Sequence, residues 1–377
     1  MLSSFSNVIV TSIVCVVPEN YIDIDDEIRF YKNSEKLARN KKILGLETRH
    51  IVPKGVSTID LCEYAAKVLI EQNDIDIKTI DTLIVASINH DYNGNSDACI
   101  IQGNLGLSDE CACFDTCGLG CTDAIYGLWL AHSLIQSGAS KKCLFLEGSL
   151  SSQITDIRNR NSNMLFGDAS SAVLLEKTEK ENPAFFHLKS IGKEWKKIVT
   201  PAGGFKFPIR KDIIDIEIID EDGNVLHLWD SIMRGGDIFK FAMDEAPASI
   251  EKILNYSRLT RDDIDFFAIH QANGQIVRTV VMHANLPKDK TSARTFSKFG
   301  NCGGTSVLVN YCDLMFDEKC RYIAFISFGV GLSVGSAVIN FENTRNLGIF
   351  YLKTPDKIIT REDLITEWTN YMKGKSK

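Results

Sequence analysis

Hydrophobic residues in this chain form short continuous runs, and three of these runs occur twice. The pairs are residues 81–87 with 265–270, residues 142–148 with 321–329, and residues 167–176 with 331–340. Continuous apolar runs of this length are typical of strands whose two faces are both covered by helices. The pattern therefore predicts an α/β protein built from two similar halves, with a binding site where the halves meet.

Apolar residues also recur at helical spacing between the strand patterns. Residues 122–137 place Ile125, Leu128 and Leu134 at this spacing, and Gly138 marks the end of the predicted helix. Residues 246–256 predict a second helix. The first seventeen residues predict a strand rather than a secretory signal, because they lack a charged leader and an uninterrupted apolar core.

The repeat divides the chain into candidate domains. We predict an N-terminal half at residues 1–180, a C-terminal half at 181–345 and an extension at 346–377 whose Lys-rich end is frayed. Residues 201–236 interrupt the second half with Pro-Ala-Gly-Gly and an Asp-Gly-Asn turn at 222–224. They predict an insertion that contains a hairpin and lines a substrate entrance.

Composition excludes several functional classes. The 377 residues are 44% hydrophobic, which suits one large domain or two fused domains. The net charge of −7, without a long basic run, argues against nucleic acid binding, and no apolar run is long enough to cross a membrane. The basic segments 193–197 and 206–211 are candidate docking sites for a small acidic carrier protein, although charged surface is usually only solvated.

Cysteine usage predicts a cytoplasmic protein with reduced thiols. The eleven cysteines are odd in number and show no disulfide framework spacing. Cys111, Cys113, Cys117 and Cys121 lie close together, which raises the possibility of zinc. However, Cys111 and Cys113 fall in a strand-like run, and no second Cys/His pair follows at finger spacing. We therefore predict no metal site. Among the functional hypotheses for this chain, a redox or metal protein built on the cysteine cluster ranks last.

Three distant segments supply the candidate chemistry. They are Gly-Cys-Thr at Cys121, His-Gln-Ala-Asn at His270 and Gly-Asn-Cys-Gly-Gly at Asn301. A thiol, an imidazole and an amide provide a nucleophile, a proton handler or oxyanion donor, and a second donor, as a carbon–carbon bond-forming acyl transferase requires. Cys121 also precedes a predicted helix, whose dipole would lower the thiol pKa. The alternative is a structural role for each residue: a buried Cys, a satisfied His and an Asn in a turn.

Several motifs in order along the chain carry a family resemblance. They are Gly45-Leu-Glu-Thr-Arg, Gly120-Cys-Thr, Leu165-Phe-Gly-Asp, His270-Gln-Ala-Asn, Gly300-Asn and Phe328-Gly-Val-Gly-Leu-Ser-Val-Gly-Ser-Ala. From near residue 5 to about residue 342, the chain resembles β-ketoacyl-acyl-carrier-protein synthase III, a thiolase-like condensing enzyme. The resemblance implies a duplicated thiolase-like five-layer αβαβα fold, a homodimer and acyl transfer through a cysteine.

The resemblance also assigns roles to individual residues. It implies that Cys121 is the nucleophile, that His270 and Asn301 stabilise the enolate formed when malonyl thioester loses carbon dioxide, and that no cofactor is permanently bound. The substrates would be an acyl-CoA or acyl-carrier protein and malonyl-carrier protein. The remaining implied roles are an oxyanion hole of the backbone N–H groups of Cys121 and Val330, and three substrate contacts. In these contacts Asn273 would touch the pantetheine arm, Arg160 would bind a phosphate or the carrier, and Phe166 would lie near the catalytic pocket. Arg49 is expected to be a structural ion-pair partner.

The chain departs from the family pattern next to the nucleophile and in two segments expected to contact the acyl donor or the acyl chain. Cys121 is followed by Thr122-Asp123 instead of a small residue and Gly. A carboxylate turned towards the thiol would raise its pKa, so we expect Asp123 to point elsewhere. The aromatic residue and the Arg that bind CoA adenine in housekeeping members of the family are not found, and the matching region, residues 39–44, reads Arg-Asn-Lys-Lys-Ile-Leu. Residues 93–96, which would cap the acyl pocket of the neighbouring subunit, are small. A different acyl donor and a specialised lipid or polyketide pathway follow from these departures.

Three functions remain open on the sequence. Decarboxylative condensation ranks first, plain acyl transfer to a hydroxyl or amine ranks second, and a catalytically silent partner subunit ranks third. Relatives that only transfer the acyl group alter the Asn, and silent subunits usually lose the Cys. The presence of Asn301 and Cys121 therefore favours condensation.

Overall fold

The computed structural model describes residues 1–30, 34–88, 90–153, 156–160, 162–221, 223–315 and 319–374. Its strands are β1 Leu2–Phe5, β2 Val8–Pro18, β3 Tyr21–Asp23, β4 Thr48–His50, β5 Thr82–Ser87, β6 Ala112–Thr116, β7 Lys142–Ser149, β8 Ala169–Lys177, β9 Ala184–Ser190, β10 Ile198–Val199, β11 Ile218–Ile219, β12 Val225–Leu226, β13 Ile232–Met233, β14 Phe266–Ile269, β15 Tyr322–Gly329, β16 Ser333–Asn340 and β17 Arg345–Leu352. Its α-helices are α1 Ser34–Leu44, α2 Thr58–Gln72, α3 Asp97–Leu105, α4 Asp123–Gln136, α5 Lys211–Ile214, α6 Gly235–Ser257, α7 Gly274–His283, α8 Arg294–Phe299, α9 Ser306–Leu314 and α10 Arg361–Met372.

Two large sheets repeat one arrangement of strands. One sheet has the order β17-β2-β8-β7-β5-β6, and the other has the order β1-β9-β16-β15-β14. In the first, β5 is parallel to β7, while β8 is antiparallel to β7 and to β2. In the second, β14 is parallel to β15, while β16 is antiparallel to β15 and to β9. The repeated runs correspond to β5 and β14, β7 and β15, and β8 and β16, which confirms the predicted duplication.

The helices complete five layers. Ile125 and Leu128 of α4 and Val307 and Tyr311 of α9 are buried in one core between the two sheets. On the outer faces, α2 packs against the six-stranded sheet, and α6 and α7 pack against the five-stranded sheet. Because α4 and α9 are apolar on the faces that meet both sheets, their burial joins the two halves. The αβαβα architecture predicted from the resemblance is confirmed.

The two halves exchange edge strands, which the repeat did not predict. Strand β1 pairs with β9 in the C-terminal sheet, and β17 pairs in parallel with β2 in the N-terminal sheet. The predicted N-terminal strand is therefore two strands in different sheets, separated at Ser6–Asn7. Residues 345–352 are consequently an edge strand of the first sheet rather than part of a separate extension. Pairing of this kind covers edges that would otherwise be exposed.

The insertion and the tail have regular structure of their own. Strands β11 and β12 form the predicted hairpin, with Ile218 opposite Leu226, although Asp222 of its turn lies outside the described residues. Helix α6 extends further towards the N-terminus than predicted, because its buried Ile238, Phe241 and Ala242 outweigh the poor helix propensity of the preceding glycines. The Lys-rich end predicted to be frayed includes residues 375–377, which are outside the described residues. Within the described part of the chain, none of the helices combines the length and the apolar character needed to cross a membrane.

Candidate active site

The thiol of Cys121 lies in a 3₁₀ turn, Gly120–Thr122, that leads directly into α4. The Ser327 hydroxyl donates a hydrogen bond to the Cys121 carbonyl and holds this turn against β15. A methyl group at Gly329 would lie 2.6 Å from Cβ and 2.7 Å from Sγ of Cys121. The turn can therefore approach the end of β15 only because residue 329 has no side chain.

The surroundings of the thiol oppose its ionisation. The backbone N–H groups of Val330 and Cys121 contact the sulfur and lower its pKa, but burial outweighs them and raises the pKa to about 12. The Asp123 carboxyl adds to the increase. This differs from the lowered pKa expected from the helix dipole, because a helix terminus offsets only part of the cost of burying a charge. The thiol is therefore the resting form of Cys121.

His270 follows β14 and is anchored on both sides. Its backbone N–H donates to the Ile326 carbonyl at 2.8 Å, and its Nδ1 lies 2.6 Å from the Ser306 hydroxyl at the start of α9. The Phe328 ring meets the imidazole edge-on, with ring centroids 5.4 Å apart. Burial lowers the His270 pKa to about 3, so the imidazole is neutral at physiological pH. A neutral imidazole held in this way is a hydrogen-bond donor or acceptor rather than a cation.

Asn301 is fixed by its own backbone and by its side-chain oxygen. Its N–H donates to the Leu165 carbonyl at 2.8 Å, and its carbonyl accepts from Gly167 N–H at 3.1 Å. Its Oδ1 accepts from Gly303 N–H at 3.1 Å. This contact sets the orientation of the amide and leaves the Nδ2 group as its donor.

A single cavity of about 1190 Å³ joins these side chains. Cys121, His270 and Asn301 all line it, as do Asn273, Phe166 and Val330. Asn273 also caps α7, because its Oδ1 accepts from Ile276 N–H at 2.8 Å. The structure thus brings all but one of the predicted site residues to one cavity.

Arg160 is the predicted residue that does not line the cavity. Its Nε donates to Asn224 Oδ1 at 2.7 Å, and its Nη1 donates to the Phe30 carbonyl at 2.9 Å. The first bond attaches the segment before β8 to the hairpin of the insertion, and the second attaches it to the segment before α1. The predicted contact of Arg160 with a phosphate or carrier stays a prediction.

Arg49 forms an ion pair with Glu27 and donates a hydrogen bond to Asn163 Oδ1 at 3.1 Å, as expected for a structural arginine.

The structure adds residues to the site that sequence reasoning missed or misplaced. Asp123 lines the cavity and raises the thiol pKa, so the expectation that it points away from the site is wrong. Glu147 also lines the cavity, and the signal for it was a carboxylate inside an otherwise apolar strand. Ser306 gave no signal, because its contact with His270 joins residues 36 positions apart.

The other cavity walls come from the insertion and its flanks. The apolar side chains there are Trp195, Ile198, Trp229, Met233, Ile238 and Phe239. The prediction that the insertion lines an entrance agrees with this placement. Within the described ranges, no group of three or more His, Cys, Asp or Glu side chains is arranged to hold a metal ion.

Comparison with known proteins identifies the family. The family model described as 3-oxoacyl-[acyl-carrier-protein] synthase III matches residues 114–192, and its C-terminal companion matches residues 254–341. A "Putative 3-oxoacyl-[acyl-carrier-protein] synthase 3" of Campylobacter jejuni is 36% identical over 355 residues, which cover 93% of this chain and 99% of that protein. The chain belongs to the 3-oxoacyl-[acyl-carrier-protein] synthase III family.

Other synthase III relatives agree in sequence and in fold. The "Beta-ketoacyl-[acyl-carrier-protein] synthase III" of Campylobacter concisus is 31% identical, covering 88% of this chain and 96% of its own length. The crystal structure of a 3-oxoacyl-(acyl-carrier protein) synthase from Burkholderia xenovorans LB400 superposes with a TM-score of 0.86 at 26% identity, covering 93% of this chain and 99% of that one. As a member of the synthase III family, the protein is an acyltransferase of the condensing type.

Proposed function

We propose that this protein loads an acyl group onto Cys121 and condenses it with malonyl-carrier protein to form a 3-oxoacyl-carrier. The thiol sulfur attacks the carbonyl of an acyl thioester, and the carrier or CoA thiol leaves. Malonyl-carrier then loses carbon dioxide, the resulting carbanion attacks the acyl carbonyl, and the Cys121 thiolate is released. The convergence of Cys121, His270 and Asn301 on one cavity carries this proposal.

The polar contacts of His270 support its role as a donor. Ser306 Oγ lies 3.3 Å from Gln271 N–H, which donates to it, and 2.6 Å from His270 Nδ1. With one lone pair occupied, the Ser306 hydroxyl can still donate its own proton to Nδ1, and we propose this direction, which leaves the imidazole proton on Nε2. Nε2–H and the Asn301 Nδ2 group then stabilise the enolate oxygen as malonyl loses carbon dioxide.

The acyl carbonyl on Cys121 needs its own donors. The N–H groups of Cys121 and Val330 both contact the sulfur, so an oxygen on the carbon attached to that sulfur would lie within their reach. We assign the oxyanion hole to these two groups. Asn273 remains the proposed contact for the pantetheine arm, which the apolar wall of the insertion also suits, and Phe166 remains the proposed substrate contact near the catalytic residues.

The carrier protein is proposed to dock beside the insertion. Segments 193–197 and 206–211 carry Lys193, Lys196, Lys206 and Lys211. Trp195, inside the first segment, is half-exposed and lines the cavity. A basic surface at the mouth of the cavity suits an acidic carrier.

A homodimer and a cytoplasmic location also remain proposals. Asn93, expected to cap the pocket of a neighbouring subunit, lines the cavity of its own chain.

The test is the intact mass of malonyl-loaded carrier protein after incubation with a mixture of acyl-CoAs. Condensation predicts a gain of one acyl group and a loss of carbon dioxide, and the Cys121→Ala variant should give neither. An unchanged carrier with an acylated Cys121 would replace condensation by plain acyl transfer to a hydroxyl or amine. An unmodified Cys121 with every thioester would contradict the proposal and favour a silent partner subunit.

A further inference from the structure

Two carboxyl groups line the cavity beside the nucleophile, and in the described part of the chain each has at least one buried oxygen without a hydrogen-bond partner of normal geometry. The backbone groups of Gly120 and Leu119 lower the pKa of the Asp123 carboxyl, and the Thr305 hydroxyl lowers that of Glu147, but burial outweighs them. Asp123 is 1% exposed and Glu147 is 2% exposed, and both belong to the cavity that contains Cys121. Within the described residues, both carboxyl oxygens of Asp123 lack a hydrogen-bond partner. The Oε2 of Glu147 also lacks one there. A buried carboxyl group without a partner is costly, so a group outside the described protein is expected to bond it.

The backbone directs both groups to the same place. Glu147 lies on the face of β7 that carries Cys143 and Phe145, which pack in the core between the sheets. A methyl group at Gly304, just before α9, would lie 2.6 Å from Glu147 Oε1. Asp123 begins α4, two residues after Cys121. The two carboxyl groups interact electrostatically with each other and with the Cys121 thiol.

Two other carboxyl groups at equal depth are fully bonded by the protein. Asp168 accepts from the N–H groups of Val52 and Ser151 at 2.9 Å, and also from the Ser152 hydroxyl. Asp230 accepts from His227 N–H at 2.8 Å and from Asp156 N–H at 3.1 Å. The fold can therefore satisfy both oxygens of a buried carboxyl group, although it leaves the Oε2 of Glu27 unpartnered beside Arg49 within the described residues. In the same part of the chain, Asp123 and Glu147 differ from Glu27 in having no ion pair with a basic side chain, which distinguishes the pair at the cavity.

The chemistry of the pair selects its ligand. Burial raises the pKa of Asp123 to about 7 and raises that of Glu147 further above its usual range, with Asp123 contributing to the second shift. Near neutral pH the pair therefore holds at least one proton and can both donate and accept. An alkyl chain could satisfy neither function, whereas a hydroxyl group satisfies both. Ser149 and Ser151 make the adjoining wall polar as well.

We propose that Asp123 and Glu147 form a subsite for a hydroxyl group carried on the first carbons of the acyl chain loaded onto Cys121. This inference rests on the proposed acyl loading and names its substrate class: a short hydroxyacyl thioester rather than a simple alkanoyl one. A site built to bond a hydroxyl group discriminates strongly against the analogue that lacks it, because its own polar groups then stay unpaired.

The experiment measures the rate of Cys121 acylation by intact mass, using 2-hydroxybutyryl-CoA, 3-hydroxybutyryl-CoA and butyryl-CoA. The variants are Glu147→Leu, which keeps the side-chain size, and Glu147→Gln, which keeps the shape if the first does not fold. Glu176→Gln is the control, because that carboxylate is remote from the cavity and lies 3.6 Å from the Lys142 ammonium. Circular dichroism and thermal melting establish that each variant is folded.

We expect one hydroxy thioester to acylate the wild-type protein at least about tenfold faster than butyryl-CoA. Glu147→Leu should abolish this preference by accelerating butyryl transfer and slowing hydroxyacyl transfer, while Glu176→Gln keeps it. Equal rates with all three thioesters would overturn the subsite but leave acyl loading intact. A preference that survives both Glu147 variants would also overturn it. Failure of every thioester to acylate Cys121 would contradict the proposed function itself.

Discussion

The hydroxyl of Ser306 lies 2.6 Å from Nδ1 of His270, and this contact joins the start of α9 to the end of β14. The same oxygen also accepts a hydrogen bond from Gln271 N–H at 3.3 Å. Ser306 is therefore a positioning residue: it holds the orientation of a neutral imidazole without lining the cavity itself.

Replacing Ser306 by Ala should slow decarboxylation without slowing acyl loading. The lost hydrogen bond is worth about 0.5–1.5 kcal/mol, so release of carbon dioxide from malonyl-carrier should fall by about 2- to 13-fold. Acylation of Cys121 should be unchanged. The matched control is Ser249→Ala, which removes an equivalent 2.7 Å contact to Nδ1 of His187 outside the cavity. Equal slowing of both half-reactions would contradict a role through His270.

The buried thiol predicts the pH dependence of Cys121 alkylation. Because the pKa of Cys121 is raised to about 12, the thiolate fraction of the free enzyme should increase about tenfold per pH unit from pH 7 to pH 10. Iodoacetamide modification, followed by mass spectrometry of the peptide that contains Cys121, measures this rate. The Cys121→Ser variant identifies the signal. A rate that levels off below pH 9 would contradict the raised pKa.

Gly329 should tolerate no side chain. In Gly329→Ala the new methyl group would lie 2.6 Å from Cys121 Cβ, and neither the buried strand nor the turn can easily move away. We expect a loss of about 1–3 kcal/mol in the free energy of unfolding and slower acylation of Cys121. Gly192→Ala is the control, since nothing lies within 4 Å of its added methyl group. Chemical denaturation and intact mass give the two readouts, and a fully active Gly329→Ala protein would refute the close packing.

The buried carboxyl of Asp123 predicts a pH-dependent stability difference. Its pKa rises from 3.8 to about 7 on folding, so the folded protein holds this proton more tightly than the unfolded chain. The associated stability is complete at pH values below 3.8 and is lost as the pH rises through about 7. Asp123→Asn removes this titration and should gain stability relative to the wild type between pH 5 and pH 8.5, by on the order of 2 kcal/mol.

Thermal melting of both proteins across this pH range measures the difference. The lowered pKa of His270 acts in the opposite direction, because a buried neutral imidazole gains stability as the pH rises from about 3 to 6.5. That contribution is common to both proteins and cancels in the comparison. A wild-type minus variant difference that does not change with pH would show that Asp123 is not buried as a titrating group.

The sequence by itself determined the duplicated α/β architecture and the candidate reacting groups. Paired apolar runs of this length are typical of strands covered by helices on both faces, so the repeat led to two similar α/β halves, while the five-layer arrangement came from the family resemblance. The chemistry of Cys121, His270 and Asn301 is visible in the chain because a thiol, an imidazole and an amide in small-residue turns are rare local combinations. None of these inferences required knowledge of which residues meet in space.

Only the tertiary structure decided the electrostatics and the long-range contacts. The sequence suggested a lowered pKa for Cys121 because the helix dipole is a local property, whereas burial, which dominates, depends on the closure of both halves around the turn. For the same reason the orientation of Asp123 and the partner of His270 could not be read from neighbouring residues. The sequence also did not predict that β1 would pair in the C-terminal sheet and β17 in the N-terminal sheet. Strand pairing depends on which sheet edge is available in the folded protein.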